Sequence, residues 1–118
     1  MADPASHDPQ SLFDPLEVPA ALALLYTSPA GADKRGTRVA GIHVCNRAGS
    51  AQTFSLTHTE SGGAASVTKA LVWEKSLTPG EEFVFAQGII MDPGDFLSHD
   101  AGAVNELVIH GYGWEMTD

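Results

Sequence analysis

Five histidines, His7, His43, His58, His99 and His110, are the side chains of this sequence best suited to ligate a metal or move a proton. Their spacing supports neither task. No two stand at the close intervals typical of zinc ligands, and no cysteine pair accompanies them. The arrangement of cupin-type metalloenzymes, two His two residues apart with a Glu shortly after, is absent. On strands, His43 and His58 would fall on neighbouring segments and face each other; the other expectation is surface or interface histidines with ordinary hydrogen bonds. Ser98-His99-Asp100 sets a hydroxyl, an imidazole and a carboxylate side by side. Adjacent strand residues point to opposite faces, however, and no G-x-S-x-G elbow surrounds Ser98.

Carboxylates pair at Glu81-Glu82 and across Asp92 and Asp95. The first pair follows Pro79-Gly80 and reads as a solvated turn. The second brackets Pro93-Gly94, where Asp caps turns through its own backbone, and the calcium-loop spacing of an EF-hand is missing. Cys45 lies in the apolar run VAGIHVC and reads as a buried, inert thiol; Arg47 is near in sequence but belongs to a turn. Gly62-Gly63 and Gly111-Tyr112-Gly113 match neither a P-loop nor a dinucleotide fingerprint. Gly111 and Gly113 are expected to permit the close approach of a neighbouring chain or side chain. Trp73, Tyr112 and Trp114 are candidate interface aromatics, or a platform on which a sugar would stack. No catalytic residue, metal ligand or cofactor is assigned.

The elements that must position these groups read as strands. From residue 20 onward, short apolar runs alternate with Pro- and Gly-rich turns. Strands are expected over 20–27, 37–45, 52–59, 67–75, 82–86, 88–91, 96–98 and 103–115. Over 37–45 the alternation puts Val39, Gly41, His43 and Cys45 on one face and Ala40, Ile42 and Val44 on the other. Over 52–59, Phe54, Leu56 and His58 oppose Thr53, Ser55, Thr57 and Thr59, the pattern of a half-buried strand. A helix over 64–72 would be short and β-branched, so a strand is expected there. Turns fall at 28–31, 46–50, 78–81 and, most strongly, at Asp92-Pro93-Gly94-Asp95. About eight strands at roughly ten-residue spacing predict an all-β antiparallel sandwich or jelly-roll over residues 20–118.

Residues 1–19 differ. Pro4, Pro9, Pro15 and Pro19 exclude a helix or a central strand. The segment is expected as a disordered tail or as an extended arm that orders on a neighbouring subunit. Leu12, Phe13, Leu16 and Val18 favour the arm, as its partner-binding anchors.

A chain of 118 residues is the size of one domain and can bury a core without staples. Six Lys and Arg against fifteen Asp and Glu give a net charge of −9. Such a surface repels nucleic-acid phosphates and anionic membranes, so neither is expected as a partner. One cysteine makes no intramolecular disulfide, and the fold needs no oxidising compartment. The first ten residues lack the basic and apolar regions of a signal peptide, and AALALLY at 20–26 is too short to span a bilayer. A soluble protein made in a cytoplasm is the expectation.

Residues 24–113 resemble small β-rich virion proteins of tailed bacteriophages. Three stretches carry the resemblance: LYTSPAG at 25–31 with VAGIHVCNRAGSAQTFSLTHTESG at 39–62, SLTPGEEFVFAQGIIMDPGDFL at 76–97, and the closing VNELVIHGYGWE at 104–115. They are turn-and-strand motifs and carry over no catalytic residue. The resemblance implies a β-sandwich building block with no enzymatic activity, located in the virion. The expectation is a capsid decoration (cement) protein, a homo-oligomer with a trimer favoured, bound to the major capsid protein. The alternatives are a tail, neck, baseplate or vertex-spike protein bound to tail proteins, and a small carbohydrate-binding module.

Overall fold

The computed structural model describes residues 10–103 and 106–118. Pro4, His7 and Pro9 lie outside them. Among the described residues nine strands follow one another: β1 (Gln10–Glu17), β2 (Ala23–Thr27), β3 (Lys34–Asn46), β4 (Gln52–Thr59), β5 (Ala70–Leu77), β6 (Glu82–Phe85), β7 (Ile89–Met91), β8 (Phe96–Ala101) and β9 (Leu107–Thr117). All pairings are antiparallel. One sheet runs β1-β9-β3-β6, with β7 also on β3; the other runs β2-β8-β4-β5. β6 and β7 both pair with β3, at 42–45 and 37–39 respectively, so they form one interrupted strand position. Counted so, eight positions divide four and four between the sheets in the order of a jelly-roll, with β4 and β5 the one consecutive pair in the same sheet, as the sequence pattern predicts.

The sheets meet through one core. Val39, Ile42, Val44, Leu107 and Ile109 come from the first, and Phe54, Leu56, Leu77 and Leu97 from the second. Burying each such side chain contributes about 1.5–3 kcal/mol. The rings of Phe54 and Phe83 bridge the layers with centroids 6.5 Å apart.

The expected strands over 52–59, 82–86 and 88–91 are present within a residue or two of their bounds, and the strand over 96–98 continues to Ala101. Over 67–75 the chain first makes a 3-10 turn at Val67–Lys69 and becomes a strand at Ala70. The Asp92–Asp95 turn closes with the Asp95 N–H donating to the Asp92 carbonyl at 3.0 Å. Gly94 at φ 87° supplies a conformation that other residues adopt at a cost.

Three expectations change. First, residues 10–19 do not stand off the domain as an arm. They are extended, as their prolines require, but β1 pairs with β9 as an edge strand of the chain's own sandwich. Val18 is fully buried, and Leu12, Phe13 and Leu16 pack against the same core. The Val18 N–H donates to the Leu107 carbonyl at 2.9 Å, and the Pro19 carbonyl accepts from the Ala101 N–H at 2.8 Å. The division at 19/20 therefore does not hold for residues 10–19. A contact within one chain forfeits no association entropy, so these apolar side chains find their own core first.

Second, β3 does not alternate as a regular strand. The register shifts between Val39 and Gly41, leaving Ala40 as a bulge opposite β9. Val39 therefore shares the core with Ile42 and Val44, and only Gly41, His43 and Cys45 face outward. Cys45 is half-buried on that outer face and is not a core thiol. Third, β4 is buried on both faces: Ser55, Thr57 and Thr59 are as closed to solvent as Phe54 and Leu56.

Candidate functional site

The histidines divide between the two sheets, so His43 does not face His58. His43 on β3 stands opposite His110 on β9, with ring centroids 5.0 Å apart and planes tilted by 38°. The Glu82 carboxylate reaches to 3.8 Å from His43 Nε2. His58, at the end of β4, lies with Nε2 3.0 Å from Asp95 Oδ2. That carboxylate also accepts the backbone N–H groups of Asp92 at 3.0 Å and Ser61 at 3.2 Å. Burial alone would raise the Asp95 carboxyl; these hydrogen bonds outweigh it and hold it below its ordinary value. The Asp92/Asp95 pair is thus a turn clamp, with Asp95 fully engaged.

His99 and Asp100 point to opposite sides of β8. His99 stands opposite Leu56 inside the sandwich, 1% exposed, and its Nδ1 has no partner among the described residues. Burial pushes its pKa down to about 4. Asp100 faces outward beside Ser55, and burial together with the nearby Glu74 charge raises its carboxyl. The three side chains of Ser98-His99-Asp100 do not meet. Among the described residues, no three His, Cys, Asp or Glu side chains group so as to hold a metal ion as they stand.

Other polar groups hold the ends of the sandwich. Asn46, fully buried, donates from Nδ2 to the carbonyls of Ser50 at 3.0 Å and Leu77 at 2.9 Å, and its Oδ1 accepts the Ala48 N–H at 2.8 Å. Tyr26 ties the layers together. Its hydroxyl lies 3.1 Å from Thr37 Oγ1 and donates to the Glu115 carboxylate, and Thr37 Oγ1 is in turn 2.8 Å from Ser28 Oγ. Burial, then the Glu115 carboxylate, pushes the Tyr26 phenol well above its usual range. The Tyr26 network and the Asn46 bond to Leu77 do not announce themselves in the sequence, because they join residues remote along the chain, whereas the Asn46 bonds to Ala48 and Ser50 lie within the expected 46–50 turn.

The three candidate aromatics do not share a face. Tyr112 and Trp114 lie on the outer face of the first sheet, opposite Gly41 and Arg38. A Cβ on Gly41 would come 2.5 Å from the Tyr112 hydroxyl, so that ring lies across the β3 backbone. The Arg38 guanidinium sits 5.9 Å from the centre of the Trp114 ring. Trp73 is on the outer face of the second sheet, 40% exposed. Gly111 serves a side chain of the same molecule: a Cβ there would fall 2.5 Å from Phe13 Cζ. Gly113 lets the β3 backbone at Arg38 approach.

The second sheet's outer face carries the feature that sequence reasoning missed. Ser55, Thr57 and Ser98 form a buried floor of small hydroxyl side chains. Leu24, 63% exposed, stands opposite Ser98 on one side, and Leu71 and Trp73 line the β5 side. Glu74 interrupts β5 at φ 50°, a strained value for a residue with a Cβ, and its N–H donates to Ser55 Oγ at 2.9 Å. This small-residue floor between apolar rims could have been sought in the Thr53-Ser55-Thr57-Thr59 alternation.

The molecule is thus a jelly-roll sandwich whose reactive side chains are largely engaged in holding the fold and whose outer faces carry apolar side chains. No family model, no curated protein and no solved structure matches the chain. No helix of the described residues is long and apolar enough to cross a membrane.

Proposed function

We propose that this chain is a non-enzymatic structural subunit of a tailed-phage particle, a capsid decoration (cement) protein that acts as a homo-oligomer, with a trimer favoured. The observation that carries this reading is the outer face of the β2-β8-β4-β5 sheet. There Leu24, Leu71 and Trp73 stay exposed around a floor of small side chains. Apolar side chains left exposed along both edges of one sheet face of a small acidic domain offer a protein-contact surface. The turn-and-strand motifs shared with small virion proteins support the particle setting, and the major capsid protein is the proposed partner. The net charge of −9 argues against a nucleic-acid role.

A tail, neck, baseplate or vertex position is the second reading within the same particle, and copy number separates it from decoration. A carbohydrate module gains no support: Trp73 is on the opposite sheet from Tyr112 and Trp114, and each of the latter is already packed or stacked. The test is the double substitution Leu24→Asp with Trp73→Asp. Because both side chains are on the outer surface, the variant should keep its circular dichroism and lose its binding to particles stripped of the protein. Undiminished binding by the folded variant refutes the assigned face.

A further inference from the structure

We propose that His43 and His110 form a cross-strand chelate for a late first-row divalent metal ion, such as Zn²⁺ or Ni²⁺, with Glu82 as the third ligand. The backbone supplies the pairing. The two histidines are exact register partners in the pairing of β3 with β9, the two longest strands, and both face outward. Directly opposed side chains of an antiparallel pair have Cβ atoms about 4.5–5.5 Å apart, so two imidazoles can reach one ion without backbone movement. Their ring centroids are 5.0 Å apart.

Glu82 comes from the third strand. On β6 it pairs with Cys45, two residues beyond His43 on the same face, and its Oε1 lies 3.8 Å from His43 Nε2. Tetrahedral zinc with bonds of about 2.0–2.1 Å sets neighbouring donors about 3.3 Å apart, so a shift of about half an ångström brings the carboxylate in. The Glu82 side chain is 68% exposed and free to make it. These donors do not converge as they stand. The site is a pair fixed by the sheet and completed by rotation about the imidazole χ2 angles, which are soft torsions, and by the Glu82 swing. Two imidazoles and a carboxylate suit Zn²⁺, Ni²⁺ and Cu²⁺ and disfavour Ca²⁺ and Mg²⁺, which take oxygen ligands. Water completes the coordination. Bound metal would clamp β6, β3 and β9 together on the face opposite the proposed docking surface.

Calorimetric titration of the full, untagged, chelator-treated chain with ZnCl₂ and with NiCl₂ tests this. One ion per chain is expected, with a Kd below about 100 µM and a melting temperature that rises with metal concentration. His43→Asn and His110→Asn should each weaken binding at least tenfold, and Glu82→Gln severalfold. His7→Asn, outside the described residues, should leave the affinity unchanged. Circular dichroism of each metal-free variant confirms that the fold persists. Absence of binding at millimolar metal overturns the proposal, as does wild-type affinity in folded His43→Asn and His110→Asn. Wild-type affinity in Glu82→Gln removes Glu82 from the site.

Discussion

His99 stands in the middle of the sandwich with Nδ1 bonded to nothing among the described residues, and burial lowers its pKa from 6.5 to about 4. The unfolded chain therefore takes up this proton first. Stability should be constant in this group above pH 6.5 and should fall by about 1.4 kcal/mol per unit as the pH drops from there toward 4. The Asp95 carboxyl is held below its ordinary 3.8, so its own loss comes at lower pH, while the raised Asp100 carboxyl acts with the opposite sign as it protonates. Urea denaturation at pH 7.5 and pH 5 checks this, and His99→Leu should flatten the difference. Asn46 is the opposite case, a buried polar group whose side chain makes three hydrogen bonds across two turns. Asn46→Ala should cost about 2–4 kcal/mol in the same experiment, since it strands several backbone partners.

At the scale of elements, β1 is held by packing more than by regular pairing, because its register with β9 shifts twice, between Ser11 and Phe13 and between Phe13 and Leu16. The Phe13 ring occupies the space that Gly111 leaves open. Gly111→Ala should push that ring away and cost about 1–3 kcal/mol, read as a lower denaturation midpoint with a folded baseline. Deleting residues 1–17 should yield an unfolded chain, because it uncovers Leu107 and Ile109, the core residues along β9.

The same elements explain what the sequence discloses. Asp92–Asp95 and Thr78–Glu81 are legible because their Pro and Gly residues act locally; the Glu81 N–H donates to the Thr78 carbonyl, and Gly80 has φ 77°. β9 is legible because Leu107 and Ile109 alternate cleanly with Val108, His110, Tyr112 and Trp114. β1 is not, because Leu12, Phe13 and Leu16 do not alternate and Pro15 mimics a linker. The bulge at Ala40 is equally silent. One inserted residue reverses which side of β3 each neighbour faces, and only the pairing with β9 reveals it. The His43–His110 pair depends on that reversal and on a register joining residues 67 positions apart (110 − 43), so no local pattern marks it.

At the scale of the whole molecule, the two outer faces differ. The first sheet shows His43, His110, Tyr112 and Trp114, with Ile90 at 73% exposure near its β7 edge. The second shows Leu24, Leu71 and Trp73 around a small-residue floor. Docking of the second face on the capsid predicts that Trp73→Asp alone lowers occupancy on stripped particles, read by densitometry after sedimentation, without lowering the melting temperature of the isolated chain. The central claim is that this sandwich is a building block of a particle. The most direct measurement is quantitative mass spectrometry of purified particles from a producing culture. A decoration protein predicts hundreds of copies per particle, in fixed ratio to the major capsid protein; its absence from the particles would contradict the account.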